Sequence, residues 1–170
     1  MILLVSGVPR YVLVVAPPRE HRRRAAGGND DSVFSRDALV ALDLGAVHDA
    51  SRNSAGLLRK GYKEVNDPRE TVGARHPLVR TDPQTGRKAL FLGRRPNSYI
   101  VGMELADSDA LLDTLWAHVA EPRFAMCHEW QVGDLLMWNN LSVLHRRDPF
   151  DSNARRVMHR TQIKGDERIA

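Results

Sequence analysis

The sequence contains a single cysteine, Cys127, so it can form no intrachain disulfide and no zinc site built from several cysteines. A lone thiol predicts a reducing, cytoplasmic setting. The sequence also lacks an apolar run of the about 18 residues that a membrane helix needs. Its apolar start, residues 1–15, has no positively charged leading segment and is interrupted by Arg10. This pattern favours strands over a signal peptide and predicts no membrane partner.

Lysine and aromatic residues are also scarce. Only four of the 25 basic residues are lysine, and aromatics make up 6% of the chain. The basic residues are scattered apart from Arg22, Arg23 and Arg24, which have no interleaved aromatics, so nucleic acid is the least favoured partner. The net charge of +4 suits small anionic ligands.

The elements predicted from periodicity are many short strands and one clear helix. The chain of 170 residues, with 42% hydrophobic content, is long enough for one domain with a sizeable core. Residues 106–119 carry an apolar stripe at helical spacing, whereas residues 124–130 alternate in the manner of a strand. Turn residues separate the remaining apolar segments, which include a strand over 76–81 followed by a turn at 82–86. Ser35 is the predicted cap of a short helix through Leu42, and Asp107 or Ser108 is the predicted cap of the longer helix. The tryptophans are predicted to be core residues, namely Trp116, Trp130 and Trp138. Together these patterns predict a mainly β sandwich or barrel.

The chemistry is concentrated in two predicted strands near the C-terminus, residues 138–145 and 156–163. Alternation places His145 on the face of the first strand that also carries Leu141 and Val143. In the second strand, Arg156 and Arg160 share a face. A histidine near two guanidinium groups on one apolar sheet suits a metal with an anionic ligand. A buried structural histidine beside two solvated arginines fits the same spacing.

Four segments give this sequence a resemblance to a known family. They are His-Pro-Leu-Val-Arg-Thr at 76–81, Thr-Gly-Arg-Lys-Ala-Leu-Phe at 85–91, the segment 130–140, and the segment 145–160. In order and spacing they resemble the TauD/TfdA family of dioxygenases, which use Fe(II) and 2-oxoglutarate. The likeness runs from about residue 76 to 166, with a weaker part at 27–54. It implies a double-stranded β-helix, the cupin-like jelly roll, with one or two flanking helices and an incomplete N-terminus.

The resemblance also assigns roles to the three residues. His145 matches the later of the two histidines that bind iron in the family. Arg156 and Arg160 follow it by 11 and 15 residues, as in the family. The resemblance implies that Arg156 binds the distal carboxylate of 2-oxoglutarate, and that Arg160 contacts the co-substrate or an acidic group of the substrate. A planar guanidinium suits a carboxylate because it donates two parallel hydrogen bonds.

The sequence departs from the family in its first two iron ligands. The family supplies them from a His-x-Asp or His-x-Glu motif, and this sequence contains neither. Its Gly-Gly-Asn block at 27–29 is followed by Asp30, where the family has threonine, and only 26 residues precede the block. We therefore expect a divergent or replaced segment over 1–26 and a partial family domain over 27–170. Truncation, a wrong start and degeneration are all compatible with this departure.

Two functions remain open at this point. The first is a 2-oxoglutarate-dependent dioxygenase that oxidises a small anionic organic substrate, with an incomplete iron site. The alternative is a catalytically inactive cupin-like module that retains an arginine-lined oxoacid pocket. Missing strands would leave an unpaired sheet edge, which favours pairing with another chain, so a homo-oligomer is a further expectation.

Overall fold

The computed structural model describes residues 2–6, 10–15, 43–53, 56–93, 96–147, 151, 153, 157–163 and 165, and of residues 2–6, 10–15 and 147 only the backbone. The chain divides into two compact units. The first unit joins Met1–Pro17 to Val119–Ile169, and the second comprises Pro18–His118 with Ala170.

The described residues form eleven strands and one α-helix. The elements are β1 (Ile2–Ser6), β2 (Arg10–Val15), β3 (Gly45–Asp49), β4 (Gly73–Pro77), β5 (Val79–Thr81), β6 (Lys88–Leu90), β7 (Tyr99–Ile100), α1 (Leu105–Val119), β8 (Ala125–Glu129), β9 (Leu135–Met137), β10 (Val143–Arg147) and β11 (Val157–Thr161). Short 3-10 turns cover Pro68–Glu70 and Pro122–Phe124. The described part of the chain contains no helix with the length and apolarity needed to cross a bilayer.

The first unit contains two antiparallel sheets of three strands, ordered β11-β1-β9 and β10-β2-β8. The two apolar N-terminal segments are therefore strands, as predicted, and each is the middle strand of its sheet. Leu3 lies opposite both Arg160 and Leu136, and Leu13 lies opposite both His145 and Met126. A segment outside the likeness to the family thus supplies the hydrogen-bonding partners of the strands within it.

Successive strands of the first unit alternate between these sheets. β8 and β10 belong to one sheet, and β9 and β11 belong to the other. This alternation is the winding of a double-stranded β-helix, and it confirms the predicted jelly-roll class. It also corrects the expectation that the histidine and arginine strands share one sheet. β10 and β11 lie in different sheets, and each pairs with a strand that is remote in sequence, β10 with β2 and β11 with β1.

Two tryptophans form the core of the first unit. Trp130 and Trp138 are buried, and Leu136, Val143 and Met158 pack against them. Leu136 and Met158 come from one sheet and Val143 from the other, so this tryptophan cluster fills the space between the two inner faces. The prediction that these two tryptophans are core residues is confirmed.

The second unit contains a β4-β3-β7 sheet and a β5-β6 hairpin. The predicted single strand over 76–81 is divided at Leu78, whose N–H donates to the Leu44 carbonyl outside the hairpin. The predicted turn after Thr81 is confirmed. Asp82 accepts hydrogen bonds from the backbone N–H groups of Gln84 and Thr85, and Gly86 adopts a φ of +67°.

The helix α1 begins one residue earlier than predicted and ends at Val119, as predicted. Its buried residues Ser108, Leu112, Leu115 and Val119 recur at helical spacing. Ser108 lies inside the helix and is not its cap. Its hydroxyl accepts the Ile100 N–H at 2.8 Å, which joins the helix to β7.

Several sequence features lie outside the described residues. They are a short helix predicted over 35–42, the glycine block at 27–30, the arginines at 22–24, and Arg156.

Candidate functional site

His145 lies on β10 and faces the tryptophan cluster. Val143, two residues earlier, packs in that cluster, so alternation places His145 on the same face. The half-buried imidazole has its ring centroid 5.2 Å from that of Trp138, with the planes inclined at 56°. Leu141, predicted to share this face as part of the strand, lies in the turn before β10. The side chain of Trp138 therefore defines one wall beside His145.

Arg160 lies on β11 in the opposite sheet. Met158 packs in the tryptophan cluster, and Arg160 is two residues further along the same strand, so both lie on its inner face. Arg160 is exposed, which leaves its guanidinium accessible to a solute. His159 lies between them and belongs to the outer face, as alternation predicts. The structure thus brings His145 and the strand carrying Arg160 to one apolar cluster from opposite sheets.

A histidine–aspartate pair supports the same cluster. The Nε2 atom of His128 lies 3.0 Å from Oδ2 of Asp134, and this oxygen also accepts the Gln131 backbone N–H at 2.8 Å. The His128 ring lies edge-on to Trp130, with centroids 4.6 Å apart. The turn between β8 and β9 therefore fixes one side of Trp130. Sequence reasoning missed this pair, although a six-residue spacing across the Gly133 turn (φ +94°) is a usable signal.

The fit of this site to iron can be tested on its donor atoms. Non-haem Fe(II) oxygenases hold the metal with two histidines and one carboxylate on one face. Among the described residues, no three or more His, Cys, Asp or Glu side chains lie together in a way that could hold a metal ion. His145 supplies one imidazole, and the described residues do not complete the triad. The described residues therefore do not support a reaction step at iron.

The chain matches the family described as "Taurine catabolism dioxygenase TauD, TfdA family" over residues 35–162. Among curated relatives, it is 44% identical over 89 residues to the alpha-ketoglutarate-dependent 2,4-dichlorophenoxyacetate dioxygenase of Burkholderia sp. (strain RASC). It is 37% identical over 91 residues to pentalenolactone F synthase of Streptomyces arenae. These matches cover 52% and 54% of the chain but only 30% of each relative.

Solved structures agree with the fold. A structure of AAD-2 in complex with Mn(II) and N-oxalylglycine superposes with a TM-score of 0.75 at 23% identity, over 99% of this chain and 64% of that one. A putative alpha-ketoglutarate dependent 2,4-D dioxygenase from Burkholderia xenovorans gives 0.68 at 28% identity, over 93% and 58%. The family match covers most of the chain, and the strand alternation and these structures agree with it. The chain belongs to the TauD/TfdA family of dioxygenases.

Proposed function

We propose that the protein is a 2-oxoglutarate-dependent dioxygenase that oxidises a small, anionic organic substrate. The supporting observation is the shared tryptophan cluster, against which both His145 and the inner face of the Arg160 strand lie. The overall reaction incorporates one atom of dioxygen into the substrate and the other into succinate, as 2-oxoglutarate loses carbon dioxide. Relatives named for 2,4-dichlorophenoxyacetate and phenoxypropionate act on carboxylates, which supports an anionic substrate here.

The proposed roles follow the family spacing. His145 is one ligand of Fe(II), the metal that supplies the oxidising chemistry when bound. Arg156 binds the distal carboxylate of 2-oxoglutarate, and Arg160 binds the co-substrate or an acidic group of the substrate. Each charge-assisted hydrogen bond contributes about 1.5–3 kcal/mol, so loss of one guanidinium weakens oxoacid binding by roughly 10- to 100-fold.

The remaining proposals concern the chain as a whole. Residues 27–170 form a partial family domain, and the divergent segment 1–26 contributes the two middle strands. The protein acts in the cytoplasm on a small molecule, without nucleic acid, and the edge strands of its sheets favour a homo-oligomer.

The second candidate is a catalytically inactive module that binds oxoacids through its arginines. One observation favours it, namely that the described residues offer no group of three metal-binding side chains. Removing a supporting partner of a metal ligand costs about 10- to 100-fold in affinity or activity, and losing the ligands themselves costs more. The two candidates differ in succinate formation but share oxoacid binding.

Calorimetric titration with 2-oxoglutarate, together with an assay for succinate, tests both candidates. We expect Arg156→Ala and Arg160→Ala to weaken binding at least tenfold. The matched control is Arg146→Ala, because Arg146 lies on β10 beside His145 but on the opposite face of that strand. Succinate formation that depends on added Fe(II) supports the enzyme. Binding without succinate supports the module, and binding that is equal in all three variants contradicts both.

A further inference from the structure

Two histidines meet on one face of the β4-β3-β7 sheet in the second unit, whereas His145 belongs to the first unit. In the register of β3 with β4, Ala46 lies opposite His76 and His48 lies opposite Ala74, so the two histidines form a diagonal pair. Side chains in this relation lie on the same face and can touch. Their ring centroids are 4.9 Å apart and their planes are inclined at 61°. The pair arises from strand register and not from proximity in sequence.

Each ring presents a buried nitrogen without a partner. Nε2 of His48 and Nδ1 of His76 are buried, and neither has a hydrogen-bond partner among the described residues. His48 also donates to the Phe91 backbone carbonyl, and because Nε2 has no partner, Nδ1 must be the donor. That bond leaves Nε2 with a free lone pair. A histidine that donates one N–H to a carbonyl and offers its other nitrogen has the arrangement typical of a metal ligand.

The surroundings keep both rings neutral and fixed. Burial lowers the pKa of His48 to about 4, with a further contribution from His76, and burial also lowers the pKa of His76. Phe91 packs against both rings, with centroids 5.3 and 5.4 Å away. A Cβ atom added to Gly93 would lie 2.6 Å from Cγ of His48, so the glycine backbone closes directly on that ring. Neutral, immobilised imidazoles are ready to coordinate without an ordering cost.

The separation of the rings fits one shared cation. A metal about 2.0–2.1 Å from a ring nitrogen lies roughly 3.2 Å from the ring centroid, so two imidazoles at an angle of about 100° have centroids about 5 Å apart. The observed separation is 4.9 Å. His76 also lines an open cleft of ≈ 350 Å³ whose other polar side chains are Asp43 and Arg75. His76 is therefore the member of the pair that borders solvent.

We propose that His48 and His76 form a two-histidine binding site for a divalent transition-metal cation, distinct from the iron site of the family. Imidazole nitrogen selects Cu(II), Ni(II) and Zn(II) over Mg(II) and Ca(II), and Cu(II) binds tightest in this series. Because the described residues supply no third ligand, water completes the coordination. The proposal does not depend on the proposed function, since it uses neither His145 nor the arginines.

Titration of the metal-free protein with Cu(II), followed by calorimetry and electron paramagnetic resonance, tests the site. We expect a Cu(II) signal with hyperfine splitting from two ring nitrogens, and we expect this signal to persist in His145→Ala. We also expect His48→Asn and His76→Gln each to weaken its binding at least tenfold. The matched controls are His159→Gln, an exposed histidine on a strand of the first unit, and His145→Ala, and both should retain the site.

Two results would overturn the proposal. One is unchanged Cu(II) affinity in either His48→Asn or His76→Gln. The other is an electron paramagnetic resonance spectrum of the wild-type protein in which Cu(II) has one nitrogen ligand or none. This second result does not depend on the folding of any variant. Mg(II), titrated in the same way, should produce no binding heat at this site. Loss of the Cu(II) signal in His145→Ala would place the cation at the family site instead and would also contradict the inference.

Discussion

Trp138 determines how well the surroundings of His145 are fixed. It is 9% exposed, packs with Trp130, and contacts the imidazole directly. Truncating a buried tryptophan to alanine removes its transfer free energy and leaves a cavity. We expect Trp138→Ala to lower the free energy of unfolding by about 3–5 kcal/mol, measured by urea denaturation.

Leu135→Ala is the control, because Leu135 is 54% exposed and should change stability by less than about 1 kcal/mol. Equal effects of the two substitutions would show that Trp138 is not a core residue.

The absence of a side chain at Gly93 leaves room for the ring of His48. A methyl group there would meet three atoms of the His48 ring and stem within 2.9 Å, and Phe91 packs against the same ring. Such overpacking costs about 1–3 kcal/mol, so we expect Gly93→Ala to destabilise the protein by that amount in thermal or urea unfolding. Gly45→Ala is the matched control. Its nearest neighbour is Nε of Arg75 at 3.2 Å, a flexible side chain that can move aside. A neutral Gly93→Ala would mean that His48 is not held in this position.

At the scale of the element, the β3-β4 pair makes stability depend on pH. The folded state holds the pKa of His48 at about 4, below its usual value of 6.5, so the unfolded chain binds more protons between those two pH values. The contribution of neutral His48 to the free energy of unfolding is therefore fully present above about pH 6.5. This contribution is lost as the pH falls towards 4. Because His48 is partly exposed, we expect a loss of about 1–2 kcal/mol between pH 7 and 4 in metal-free buffer.

Urea denaturation at several pH values measures this dependence. His48→Asn cannot take up the proton, so its stability should change less over the same interval, whatever its stability at pH 7. The carboxyl groups of Asp49, Asp67 and Asp82 also have lowered pKa values, which confines their contribution to pH values below about 4. Parallel pH profiles for the two proteins would contradict the assignment to His48.

Strand β2 carries a prediction about the first unit, because it lies in the middle of its sheet. Val12 is paired with Arg146 on one side and Cys127 on the other. Proline there removes a backbone donor from the ladder and is not tolerated in the middle of a sheet, whereas threonine keeps the donor and suits a strand. We expect Val12→Pro to expose Trp130 and Trp138, seen as a red shift of fluorescence in a Trp116→Phe background. Val12→Thr should not do so, and matching spectra would contradict the middle position of β2.

The local elements were predictable because side-chain periodicity is encoded in neighbouring residues. Alternation at 124–130 and 156–163 predicted β8 and β11. It also predicted that His159 and Arg160 lie on different faces of β11. Pairing is a different matter, since it depends on segments more than a hundred residues apart. The sequence pattern suggested one sheet for His145 and the arginines, but β10 pairs with β2 in one sheet and β11 pairs with β1 in the other. The pair His48–His76 was missed because it depends on the register of β3 with β4, and the pair His128–Asp134 was missed because it depends on the geometry of the turn between β8 and β9.

At the scale of the whole molecule, the family resemblance predicts the roles of residues, and the structure shows where those residues lie. The likeness to the family fixed the roles expected of His145, Arg156 and Arg160 through their spacing. The structure adds that His145 and the Arg160 strand approach one tryptophan cluster from opposite sheets. Neither source supplies a complete iron triad among the described residues. We propose that the protein nevertheless binds Fe(II) and 2-oxoglutarate together through His145, Arg156 and Arg160.

Anaerobic titration of the purified protein with Fe(II) and 2-oxoglutarate tests that claim most directly, by the weak visible absorption band of the Fe(II)–oxoacid chelate. We expect the band to appear and to saturate as both ligands bind. The band should be lost in His145→Ala, should require at least tenfold more 2-oxoglutarate in Arg156→Ala, and should persist in Arg146→Ala. Absence of the band, with 2-oxoglutarate still bound through Arg156, would leave the inactive oxoacid-binding module. If neither the band nor binding of 2-oxoglutarate is observed, the proposed function is contradicted. The family likeness would then reflect shared ancestry alone.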